Sequence, residues 1–227
     1  MFYADFTSLA PHEQAVWLDE VKDSLSGTTM SKNKEDIVVS YTSLPFYKDF
    51  KLYSVSDNSK PAPNTWYMLY SPGGSAFLMD WTNEPIYKVN EIAPIILNKT
   101  TALSYTKFFF HFVRGKLGRF IIVEKPSEVR WLPEAGQEEK DAAKEHIIPL
   151  TYKGIARDNF MTLRASVVFK NAIFHTDVKI ALFNTESVNS ETREAEHFSI
   201  GQMKLVNEDL LIEDIKVVVD EPPTEFG

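Results

Sequence analysis

Phe160-Met161-Thr162-Leu163-Arg164-Ala165-Ser166-Val167-Val168-Phe169-Lys170-Asn171-Ala172-Ile173-Phe174-His175-Thr176-Asp177-Val178-Lys179-Ile180-Ala181-Leu182 decides the fold class of this 227-residue chain. Met161, Leu163, Ala165, Val167 and Phe169 alternate with Thr162, Arg164, Ser166 and Lys170. Beyond Lys170-Asn171 the apolar set moves to Ala172, Phe174, Val178, Ile180 and Leu182. Side chains of a strand point alternately to opposite faces, so a change of phase requires a turn or a bulge. A two-residue turn at Lys170-Asn171 sets Phe169 opposite Ala172 and Val167 opposite Phe174. Either device gives antiparallel β structure with one face on a core.

Outward from this pair the chain alternates short strands with turns. Residues 8–26 predict an amphipathic helix with Ser8 as N-cap, Pro11 and Glu13 in its first turn, and Gly27 at its end. Leu18, Val21 and Leu25 share its apolar face. Ile37–Tyr41 and Phe50–Val55 read as strands. Trp66–Tyr70 and Ala76–Trp81 flank Ser71-Pro72-Gly73-Gly74-Ser75, a hairpin signal; the Lys and helix of a phosphate-binding loop are missing there. Thr82–Glu91 is polar and reads as a loop.

Thr100–Arg114 fits a strand through Phe108, Phe110 and Phe112, or a helix capped by Thr100. Arg114 in the last turn and Gly115 just beyond favour the helix. Arg119–Glu124 and Ile147–Tyr152 are further strands. Glu186–Glu196 is a charged loop, and Asn207-Glu208-Asp209 reads as a turn joining strands Ile200–Val206 and Leu211–Val219. The tail Asp220–Gly227 is acidic and is expected to fray. Strands do not alternate regularly with helices. The expected fold is therefore α+β: largely antiparallel sheet with an N-terminal amphipathic helix and one or two further helices. The expectation is one domain over 1–227. The alternative places an α+β part at 1–132 and an antiparallel β part at 146–220, divided at the charged stretch Pro133–Glu145.

Composition bounds the function. With 44% hydrophobic and 25% charged residues, the chain has the balance of a globular protein. The net charge of −8 argues against a nucleic-acid surface. The densest basic stretch, Lys107–Arg119, is broken by apolar residues. Cysteine is absent, which excludes disulfides, thiol catalysis and Cys-ligated metal or iron–sulfur sites. No basic segment followed by an apolar one opens the sequence, and no apolar run reaches the roughly 18–20 residues of a membrane span. A soluble, cytoplasmic protein without a membrane or nucleic-acid partner is the expectation. Asn98-Lys99-Thr100 matches a glycosylation acceptor, a pattern short enough to arise by chance.

No cofactor motif is present. His12, His111, His146, His175 and His197 lack the spacing of a metal site, so none is expected. Within Phe108–Phe112, His111 reads as a structural histidine. His175 and Asp177 lie two apart on one strand face, as an ordinary polar pair. Ser104-Tyr105-Thr106-Lys107 matches Ser-x-x-Lys without the partner motifs that give it meaning. The richest candidate is Asp80-Trp81-Thr82-Asn83-Glu84-Pro85 with Tyr87, Asn90 and Glu91, where carboxylates, amides and aromatics follow a strand. Trp66, Asp80, Trp81, Glu84, Tyr87 and Asn90 are the candidate ligand-binding residues. Asp80 and Glu84 are a carboxylate pair that burial would have to divide into acid and base. No catalytic residue is nominated. The sequence favours a non-catalytic interaction or oligomerisation domain, with a protein partner or a second copy. Next stands a small-ligand binder with an aromatic pocket near Trp66, Trp81 and Tyr87. An enzyme using Asp80, Glu84, Glu91 or His111 comes last.

Overall fold

A computed structural model of the chain describes residues 2–31, 33–182, 186–188, 191 and 195–219. All pairings between its strands are antiparallel. The expected tail Asp220–Gly227 lies outside the described residues. Among them, no helix is long and apolar enough to cross a membrane.

The N-terminal part is a meander of β1 (Thr7–Ser8), β2 (Ile37–Ser43), β3 (Lys51–Asp57), β4 (Asn64–Ser71) and β5 (Ser75–Leu78), paired in that order. Between β1 and β2 comes helix α1 (Pro11–Glu20), which covers one face. Trp17, Leu18, Val21 and Leu25 pack there against Ile37, Val39, Tyr53, Val55, Met68 and Tyr70. Trp17 stacks flat on Tyr53, with ring centroids 4.7 Å apart.

The expected helix over 8–26 is shorter. Ser8 is not its cap but pairs with Ser40 in β1, and Ala10 takes the N-cap position with the Glu13 carboxylate accepting its amide at 3.0 Å. Residues 21–27 form turns that still deliver Val21 and Leu25 to the core. The Gln14 amide lies along β2 where β1 stops, donating to the Ile37 carbonyl at 2.8 Å and accepting from the Val39 amide at 2.9 Å. A side chain thereby supplies the bonds of a missing strand. The hairpin expected at Ser71–Ser75 is present, with Gly73 and Gly74 at φ 111° and 98°.

The polar stretch Thr82–Glu91 is not a loop but helix α2 (Glu84–Ile92). Ile86, Val89 and Asn90 are buried at helical spacing, and Pro85 suits the first turn. After β6 (Ile95–Leu97), helix α3 (Lys99–Phe112) takes the helical option for Thr100–Arg114. Its cap is Asn98, two residues ahead of the expected Thr100, accepting the Thr100 and Thr101 amides at 2.9 Å each. Asn98-Lys99-Thr100 is thus a capping sequence here. Tyr105, Phe108, Phe109, Phe110 and Phe112 are all buried, because α3 lies between the two large sheets. Its less buried stripe of Thr100, Ser104, Lys107 and His111 is narrow, and the crowded phenylalanines of Phe108–Phe112 also fitted a strand.

The second large sheet holds β7 (Ile121–Val123), β8 (Thr151–Ile155), β9 (Phe160–Phe169) and β10 (Ala172–Ala181). The chain continues through β11 (Glu186–Val188) and β12 (Ala195–Ser199) to β13 (Met203–Ile212). Its order is β13-β10-β9-β7, with β8 also on β9. The β9–β10 register carries Phe169 opposite Ala172 and Val167 opposite Phe174, as the alternation requires. Lys170 takes φ 52° in the turn. Met161, Leu163, Ala165, Val167, Val178 and Ile180 face α3. The opposite face packs Val168 and Ile173 against Ala143 of α4 (Gln137–His146) and against Ile215 and Val217.

Two expectations about the C-terminal part are corrected. Glu186–Glu196, read as a loop, contributes β11 and the first residues of β12, which pair with each other; the rest of β12 pairs with β6, completing a small sheet. Asn207-Glu208-Asp209 is not a turn between strands. β13 runs through it, and the register on β10 shifts between His175–Asp209 and Asp177–Val206, a bulge with Asn207 at φ 53°.

Candidate functional site

The nominated carboxylates serve local structure. The Asp80 carboxylate accepts the Thr82 amide at 2.9 Å and its hydroxyl at 2.7 Å, and the Thr82 hydroxyl accepts the Glu84 amide at 3.2 Å. This chain of bonds starts α2. Glu84 pairs with Lys88 one turn on, at 2.6 Å and largely in solvent. Ser104 and Lys107 are not joined either: the hydroxyl points back to the Thr100 carbonyl, and the ammonium pairs with Glu124.

The nominated aromatics divide between two sides of the first sheet. Trp66 shares strand parity with Met68 and Tyr70, the face that α1 covers. Trp81 lies on the other side, stacked on Phe112 with centroids 6.2 Å apart and carrying the Arg114 guanidinium 4.3 Å above its ring. Its backbone sits at φ 67°, uncommon for so bulky a residue, held by the Arg114 amide donating to its carbonyl at 2.8 Å. Tyr87 and Asn90 come together, but around a backbone segment. Asn90 accepts from the Tyr47 hydroxyl and donates to the Tyr105 hydroxyl at 3.2 Å and the Ile200 carbonyl at 2.9 Å. Tyr105 donates to the Gly201 carbonyl, and the Tyr87 hydroxyl accepts the Met203 amide. Burial pushes the Tyr47, Tyr87 and Tyr105 hydroxyls upward in pKa. This network clamps the approach to β13.

Of the histidines, His111 faces the Arg119 guanidinium at 3.1 Å. His175 does not turn to Asp177; its Nε2 is 2.7 Å from the His146 carbonyl. Asp177 instead accepts from Arg164 and from the Asn207 amide. No cluster of three potential metal ligands occurs among the described residues.

The feature that most resembles a binding site has no signature in residue spacing. At the hairpin end of the second sheet a pocket of about 150 Å³ opens on the core-facing side. Val167 and Phe169 of β9, Phe174 and Thr176 of β10, and Leu205 of β13 form its floor, with Phe120 at the side. Phe120 and Phe169 stack with centroids 4.2 Å apart. Phe120, Phe169, Phe174 and Leu205 all remain half-buried. The Thr176 hydroxyl is occupied by the Val206 carbonyl at 3.1 Å. Glu208, at the rim, has no ion-pair or hydrogen-bond partner among the described residues.

Glu208 is there because of the bulge. Leu205 and Leu210 stand opposite Val178 and Phe174, on the pocket face, while Asp209 stands opposite His175, on the other. Two residues, Asn207 and Glu208, fit into the space of one, so Glu208 is turned inward and Asp209 outward. The outward groups are fastened: Arg164 pairs with Asp177 and Asp209 and donates to the Asn207 carbonyl. Asp209 holds most strongly among the causes that raise the Arg164 pKa.

No protein-family model, curated protein or solved structure matches this chain. The functional reading therefore rests on its own residues.

Proposed function

We propose that this protein is a non-catalytic binding protein, and that the phenylalanine-lined pocket of the second sheet receives a small apolar group. The pocket itself carries the reading. A volume near 150 Å³ with an apolar lining is of the size that accepts a single aromatic ring, on the order of benzene. Half-buried Phe169, Phe174 and Leu205 leave surface for a ligand to cover, and the uses found for Asp80 and Glu84 favour binding over catalysis. Thermal unfolding of the purified protein with benzyl alcohol as a neutral probe tests this. A saturable rise in melting temperature is expected, and it should vanish in Leu205→Trp, which fills the pocket from the edge strand. An absent rise, or one unaltered in Leu205→Trp, refutes the reading.

A second reading, an interaction or oligomerisation domain, draws support from the tight turn Gly115–Gly118. Leu117 at its tip is 70% exposed, close in sequence to Arg114, whose guanidinium lies on Trp81. Exposed apolar tips beside Arg and Trp resemble interface anchors. Light scattering of wild type and Leu117→Asp tests it: a larger assembly that the substitution dissociates supports self-association, and a monomer in both removes it. Both readings take 1–227 as one folding unit, since buried residues of α3 share a cluster with residues of both large sheets. A single calorimetric transition is expected.

A further inference from the structure

We infer that the ligand of this pocket is a protonated amine bearing one aromatic ring or a branched alkyl group of similar size, with Glu208 as its counter-ion. This rests on the pocket being the binding site. Three observations carry it further. First, Glu208 is the one ionisable side chain in the lining, and among the described residues nothing pairs with it. Second, its position depends on the bulge in β13, which reverses the inside–outside order of Glu208 and Asp209. Bulges re-aim side chains, and this one is secured from behind by Arg164, Asp177 and Asn207. Third, the remaining lining is dominated by Phe120, Phe169 and Phe174, whose rings tolerate a cation that a purely aliphatic wall would not.

The charge logic excludes the alternatives. An anionic ligand would meet the Glu208 carboxylate at the rim and three rings with negative faces within. A neutral ligand would gain nothing from Glu208, whose exposed carboxylate stays hydrated at the rim. The Lys170 ammonium, 5.6 Å from the Phe169 centroid, belongs to the neighbouring turn and is not part of the lining. An amine satisfies both parts of the site: its apolar group fills the volume, and its ammonium donates to the carboxylate.

Benzylamine, benzyl alcohol and benzoate are nearly matched in shape and differ in charge. Their affinities would be compared by titration calorimetry on wild type, Glu208→Gln and Leu205→Trp. Benzylamine is expected to bind wild type at least about tenfold more tightly than benzyl alcohol, the order of a charge-assisted hydrogen bond, with benzoate weakest. Glu208→Gln should bring benzylamine down to the level of the alcohol and leave the alcohol unchanged. Equal affinity for amine and alcohol, or an unchanged preference in Glu208→Gln, overturns the amine assignment while the pocket stands. If none of the three binds, or Leu205→Trp binds as wild type does, the pocket itself is not the site.

Discussion

Tyr105 and Gly201 are in direct contact: the Tyr105 hydroxyl donates to the Gly201 carbonyl at 2.9 Å. A Cβ at residue 201 would lie 2.1 Å from that hydroxyl oxygen and 2.6 Å from Asn90 Nδ2. Gly201 also takes φ +72°, which L side chains rarely adopt. Gly201→Ala is therefore expected to cost on the order of 3 kcal/mol, from backbone strain together with displacement of a buried hydroxyl. Urea unfolding measures it; a loss within about 0.5 kcal/mol would mean that the clamp is loose.

Arg164 ties β9, β10 and β13 together across the back of the bulge. Its removal leaves Asp177 and Asp209 facing each other without a cation, and the pairs are partly solvated. Arg164→Ala should destabilise by about 1–2 kcal/mol, less than a fully buried pair would. It should also weaken benzylamine binding without touching the pocket, because the bulge that presents Glu208 loses its fastening. Lower stability with unchanged affinity would show that the bulge holds without Arg164.

Lys170 occupies the left-handed region at φ 52° in the β9–β10 turn. Glycine reaches that conformation without steric cost, so Lys170→Gly should stabilise the protein, by up to about 1 kcal/mol. A denaturation midpoint lower than that of wild type would contradict this.

Alkaline pH should unfold the chain early. Burial, the largest cause, and the bond to Glu20 push Tyr70 up to about 12, and burial raises Tyr47 and Tyr105 as well. Their folded values exceed the unfolded value near 10. The stability they contribute is fully present below about pH 10 and is lost as pH rises towards the folded values. Each tyrosine that ionises only on unfolding lowers stability by about 1.4 kcal/mol per pH unit. Urea midpoints between about pH 9 and about pH 11 should fall steeply, and less steeply in Tyr47→Phe. Equal slopes would remove Tyr47 from the account.

Where the fold was legible, a local pattern carried it. The alternation around Lys170-Asn171 gave the β9–β10 pairing because sequence neighbours form it, and Gly73-Gly74 announced its hairpin for the same reason. The helix α2 had a signal that the polar composition hid: Ile86, Val89 and Asn90 are spaced for one face, and Pro85 starts the first turn. Asn207 misled because the left-handed conformation it tolerates serves turns and bulges equally. Choosing between them requires the partner strand. The nominated site failed to converge for a related reason: Trp66 and Trp81 are separated by the sheet itself. The phenylalanine pocket draws on Phe120, β9, β10 and β13, whose proximity follows from sheet order and leaves no trace in sequence spacing.

The strand β9 has one long edge shared by two short strands, β7 opposite Val168–Ser166 and β8 opposite Arg164–Met161. Between them the Ser166 hydroxyl bonds the Ile148 amide at 2.8 Å and the His146 carbonyl at 3.3 Å, closing the seam. Everything from Glu124 to Pro149, α4 included, leaves the sheet and returns to it within a few ångströms along that edge. Topologically it is a closed handle rather than a bridge. A protease cut inside the handle would leave two chains, each still zipped to its neighbours on either side of the cut, so a nicked protein should keep its sheet while gaining two new ends there.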